Sequence, residues 1–134
     1  MFDALDIGAS GLTAQRTRLD VIAANIANVS TTHDASGKPN PYRRRFAVIA
    51  PGAPDDPSKP GVHVQQVRQD MSPFIRKYDP TNKDAGPDGY VQMPNVDTTV
   101  EFVNAIEASR AYEANVTMMD VTKSMINASL RLLG

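Results

Sequence analysis

The chain of 134 residues has no cysteine and no tryptophan. The first absence excludes disulfides, thiol nucleophiles and thiolate metal sites. Aromatic residues make up only 6%, so a core must rest on Leu, Ile, Val, Met and Ala. Charge of neither sign dominates. The 14 Lys and Arg nearly balance the 15 Asp and Glu, for a net charge of −1, which gives no global attraction to nucleic acid or to an anionic membrane. No apolar run approaches the roughly 20 residues of a membrane span. The opening MFDALDIGASGLTAQRTRLD places Asp3 and Asp6 where a secretory signal has its basic start and apolar block, so any route out of the cytoplasm is expected to read no cleaved leader.

The length predicts one compact domain, with three zones along the chain. Residues 1–30 read as an N-terminal helix, 31–97 as a β-hairpin and loop region, and 98–134 as a C-terminal helix. All ten prolines and five of the eight glycines fall in the middle zone. The predicted fold class is therefore mostly α with a small β element, in which paired terminal helices form a coiled-coil-like bundle around an inserted hairpin. Leu5, Leu12, Leu19 and Ile26 recur every seven residues, beside a companion row of Gly8, Gln15, Ile22 and Val29. Gly8 and Gly11 each weaken the helix by about 1 kcal/mol relative to Ala and permit close approach of a neighbour. In the C-terminal helix one row holds Ala105, Tyr112, Met119, Ile126 and Leu133, a second holds Ala111, Met118, Met125 and Leu132, and a third holds Ala108, Asn115, Thr122 and Ser129. Thr98 with Glu101 reads as a capping box. That helix would run about 54 Å at 1.5 Å per residue. Between the helices YRRRFAVI, GVHVQQVRQD, FIRKYDP and GYVQM read as short strands, with Val67 out of phase at a bulge.

Little in this chain points to catalysis. His33 and His63 are the only histidines and lie in no metal-ligating spacing. DPTNKDAGPDG has the acids of a calcium loop without its 1-3-5 spacing or its final Glu, and reads as turn chemistry. Arg43, Arg44 and Arg45 form the one basic cluster, too small and too poor in stacking aromatics for a nucleic-acid surface. The expectation is no enzyme, no metal, no cofactor and no small-molecule substrate.

Two amphipathic helices alone make a thin core. Their extra apolar and small-residue rows predict that burial is completed in an assembly. Leu5, Leu12, Leu19, Ile26, Tyr112, Met119, Ile126 and Leu133 are the candidate packing residues. Asn25, Asn28, Arg110, Glu113 and Asn115 are candidates for polar contacts that fix register, together with Tyr112. Tyr42 and Arg43–Arg45 are candidates for contacts of the middle region. Asparagine is a poor helix-interior residue, so Asn25 and Asn28 either cross-link the bundle or simply stop the helix.

Four stretches carry a resemblance. AANIANVST (Ala23–Thr31) is similar to the N-terminal signature of the bacterial flagellar rod and hook axial proteins. PYRRRFAV (Pro41–Val48), YDPTNKDAGPDGYVQMPNVD (Tyr78–Asp97) and EASRAYEANVTMMDVTKSM (Glu107–Met125) resemble the proximal-rod members of that family. The resemblance implies a structural subunit of the basal-body rod, the drive shaft across the periplasm, assembled helically and exported through the flagellar type III apparatus. The implied partners are copies of itself, other proximal and distal rod proteins, and the export-gate and membrane-ring components at the base. The competing reading from the same helices is a small export chaperone or adaptor.

Overall fold

A computed structural model of the protein describes residues 2–134. The elements in chain order are α1 (Phe2–Ala27), β1 (Arg45–Pro51), β2 (Val62–Gln69), β3 (Ile75–Tyr78), β4 (Tyr90–Met93) and α2 (Thr98–Leu133). The fold is mostly helical with a small β element, as the sequence predicts.

The helix ends follow local chemistry. At the end of α1 the Asn28 side chain donates to the Ala24 carbonyl at 2.8 Å and accepts from the Thr31 hydroxyl at 3.1 Å, which occupies groups that helix termination leaves open. At the start of α2 the cap lies one residue earlier than the sequence pattern indicates. Asp97 Oδ1 accepts from the N–H groups of Thr99 at 3.0 Å and Val100 at 3.3 Å, so Asp97 is the N-cap. Glu101 is no part of a capping box; it turns inward.

β1 and β2 form one two-stranded sheet, β3 and β4 another. β3 and β4 are antiparallel, pairing Ile75 with Met93 and Tyr78 with Tyr90. The β1–β2 arms are bracketed by Asp70 N–H donating to Arg44 O and Gly52 N–H donating to Gly61 O. β1 begins at Arg45, later than the alternation over YRRRFAVI implies, because the N–H of Arg44 is taken by the Asn95 side chain and not by a strand.

The chain divides into two compact units. The first comprises Met1–Leu19, Ala47–Val67 and Ala105–Gly134; the second comprises Asp20–Phe46 and Arg68–Asn104. In the first unit α1 and α2 run antiparallel. Gly8 faces Met119, Gly11 faces Asn115, and Arg18 meets Glu107 at 3.5 Å. Small residues make this seam possible: a Cβ on Gly8 would lie 2.7 Å from Met119 Cγ, and one on Gly11 2.9 Å from Asn115 Nδ2. Gly8 and Ala14 are buried, whereas Leu5, Leu12 and Leu19 flank them half-buried.

The glycines therefore trade helix propensity for proximity. Gly8→Ala and Gly11→Ala are each expected to raise the helicity of an isolated α1 peptide. In the whole chain each is expected to lower stability by about 1 kcal/mol net, because overpacking of about 1–3 kcal/mol exceeds a propensity gain of about 1 kcal/mol. Peptide circular dichroism and denaturation of the full chain give the two signs separately.

Candidate functional site

The second unit is organised around an enclosed polar node. Asn25, on the last turns of α1, has 0% exposure, and its carboxamide makes four hydrogen bonds. Oδ1 accepts from Arg45 N–H at 2.9 Å and from the Tyr42 hydroxyl at 2.9 Å. Nδ2 donates to Arg45 O at 2.8 Å and to Glu101 Oε2 at 3.1 Å. Both donors and two acceptor positions of the amide are thus used. The side chain pairs with the backbone of Arg45 as a neighbouring strand would.

Glu101 is equally enclosed, at 0% exposure. Its Oε1 accepts from Arg44 Nε at 2.6 Å. Arg44 also reaches Asp70 Oδ2 at 3.3 Å. Burial works against the Arg44 charge, but Glu101 and Asp70 outweigh it and raise the guanidinium above its ordinary value. Burial pushes the Tyr42 phenol up. Asn95 accepts from Arg44 N–H at 2.7 Å and donates to the Asp70 and Ser72 carbonyls at 2.9 and 3.1 Å. Arg43 donates to the same two carbonyls at 3.1 Å each and lies 4.2 Å over the Phe74 ring. The Arg45 guanidinium stands 5.7 Å over Tyr42. Three consecutive arginines therefore make three different contacts.

A second link in this unit ties the turn after α1 to the loop before β4. Asp84 accepts from the Thr32 hydroxyl at 2.6 Å and faces His33 Nδ1 at 3.3 Å. Asp-X-Ser turns recur at Asp34–Ser36, Asp56–Ser58 and Asp70–Ser72, each with a hydroxyl-to-carboxylate bond of 2.6 Å. The Thr32 hydroxyl first, then His33, holds the Asp84 carboxyl below the usual range. The Ser72 hydroxyl does the same for Asp70. A carboxylate depressed in the folded state adds stability that is fully present above its unfolded value of about 3.9 and is lost as pH falls through the folded value. The thermal midpoint is expected to stay level from neutral to mildly acidic pH and to drop below about pH 4. Asp84→Asn should flatten part of that acid limb in a thermal melt series across pH.

The structure brings Asn25, Tyr42, Arg44 and Arg45 together and places Arg43 beside them. Asn28 is a local helix stop. Asn115 is half-buried against Gly11 in the first unit. Arg110 and Glu113 are exposed and, among the described residues, their side chains enter no hydrogen bond or ion pair. Ile26, Met119 and Ile126 are half-buried, Tyr112 lies at 36% exposure, and Leu133 is open. Sequence reasoning missed Asp70, Asn95 and Glu101 as members of the node. Glu101 carried a signal, because it lies one helical turn before Ala105 and about two before the buried Ala108. Among the described residues, no group of three acidic, histidine or cysteine side chains could hold a metal ion, and no helix is long and apolar enough to cross a membrane.

Two terminal helices with a short β region between them agree with two family models. Residues 5–32 match the flagella basal body rod protein family, and residues 88–132 match the C-terminal region of the flagellar basal body rod FlgEFG proteins. The class is thus that of flagellar basal-body rod proteins. Flagellar basal-body rod protein FlgC of Borreliella burgdorferi is 40% identical, over 99% of this chain and 97% of its own length. Those of Bacillus subtilis and Escherichia coli O6:H1 are each 39% identical, over 98% of this chain and 97% of theirs. The chain belongs to the FlgC family of rod proteins, as a structural rod subunit.

Proposed function

We propose that this chain builds the proximal rod of the flagellar basal body. It assembles helically with copies of itself and with other proximal and distal rod proteins, and meets export-gate and membrane-ring components at the base. Its helices form the wall of the export channel, its rod transmits torque across the periplasm, and its role is mechanical and not enzymatic. One observation carries this reading. Met118, Val121, Met125 and Leu132 follow one face of α2 at helical spacing and are 43, 54, 59 and 89% exposed. An apolar stripe of this kind calls for a helical neighbour.

Hydrogen exchange tests it. In the isolated chain, amides over residues 118–133 are expected to exchange quickly, while those of Asn25, Arg45 and Glu101 are protected by the node. In assembled basal bodies the 118–133 segment should become protected. Strong protection of that segment in a lone monomer or discrete dimer would instead favour a free-standing binding module.

A further inference from the structure

From the last residue of β1 into the loop that joins it to β2, prolines stand at every third position, Pro51, Pro54, Pro57 and Pro60, and all four are exposed. The loop is tightly built. Gly52 N–H donates to Gly61 O at 2.9 Å, and both glycines have positive φ, 91° and 108°. A Cβ on Gly52 would lie 2.7 Å from the backbone of Pro57, so the loop folds back on itself. Asp56 accepts from the N–H and the hydroxyl of Ser58 at 2.9 and 2.6 Å. Lys59 meets Asp55 at 3.6 Å. Fixed φ angles and internal bonds mean that little ordering remains to be lost on docking. The result is a compact ridge of tight turns that exposes four prolines, and the Asp55 side chain on it is 77% exposed.

The β3–β4 hairpin displays a matching surface. Register places Arg76, Tyr78, Tyr90 and Gln92 on one face, and all four are exposed. Tyr78 and Tyr90 meet edge to face at 5.3 Å, and the Arg76 guanidinium lies 4.6 Å over Tyr90. The Arg76 side chain remains 59% exposed although it pairs with Asp88. Beside this face opens a cleft of about 610 Å³ lined in part by Pro39, Pro41, Tyr90 and Gln92. Exposed tyrosine and arginine side chains are among the residue types that most often carry interface energy.

We propose that the proline ridge of one copy docks on the Arg76–Tyr78–Tyr90 face of a second copy, with Asp55 turned to Arg76. This rests on the rod-subunit reading and names a contact within it. The absence of cysteine makes the test direct. Cells co-express two single-cysteine forms, Pro54→Cys and Gln92→Cys. Their basal bodies are isolated and treated with a short thiol–thiol cross-linker. A dimer joining positions 54 and 92 is expected only when both forms are present. It should be lost when Tyr78→Ser is added to the Gln92→Cys form. Incorporated chains that give no 54–92 product would overturn the docking and leave the rod reading intact. Cross-linking of position 54 to a protein of different mass would overturn it too, by assigning the ridge to another component. Absence of the chain from the basal bodies would overturn both readings.

Discussion

Arg44→Met destabilises the second unit by about 3–5 kcal/mol, the cost of removing one partner from a buried ion pair. The expectation follows from what remains behind. The Glu101 side chain is 1% exposed, and without Arg44 its carboxylate keeps, among the described residues, the Asn25 amide at 3.1 Å. The Asp70 contact of the guanidinium is lost as well. Urea unfolding followed by tyrosine fluorescence reports the loss, since Tyr42 stands in the node and no tryptophan masks it. Glu101→Gln should cost less, because the amide oxygen can still accept from Arg44 and no unpaired charge is buried, although its NH2 then faces the Asn25 amide. In the double substitution Arg44→Met with Glu101→Leu, the penalty should be well below that of Arg44→Met alone, as no orphaned charge remains. Equal losses in the single and double forms would mean that Arg44 acts through packing and not through Glu101.

The second large effect concerns assembly. Val121→Glu combined with Met125→Lys replaces two members of the exposed α2 stripe by an i, i+4 pair that itself favours the helix by about 0.2–0.5 kcal/mol. Both positions are more than half exposed in the isolated chain, so monomer helicity should hold or rise. Incorporation into basal bodies and swimming should be abolished, because the rod reading encloses these positions between helices, where each unpaired charge is costly. Circular dichroism of the monomer and a motility assay separate the two effects. Full motility would remove the stripe from the interface.

Much of the architecture could be read from local pattern. The spacing of Ala105, Met119 and Ile126 and the run without Pro or Gly mark α2 from Thr98 to Leu133, and alternation marks the first two strands. What stayed hidden was pairing over long separations. Asn25 and Glu101 lie 76 residues apart, and no period or motif links them. The expected capping box shows how a local rule misleads. Thr98 and Glu101 have the right identities and spacing, yet Asp97 is one residue nearer the true boundary, and the pull of Arg44 gives Glu101 a better use. Similarly, the seven-residue leucine row is the conspicuous one in α1, but the seam in the first unit runs along Gly8 and Gly11. Closeness of approach there depends on side chains that are missing.

Asn25 recognises Arg45 through its main-chain N–H and carbonyl, while the Arg45 side chain remains outside. The tightest requirement at position 45 is therefore one that side-chain comparison does not register. Charge, size and polarity there can drift, at the modest cost of the stacking on Tyr42. Proline alone is barred, having no hydrogen to give. A family can thus vary freely at a position on which its scaffold depends, with the restriction written at residue 25 instead.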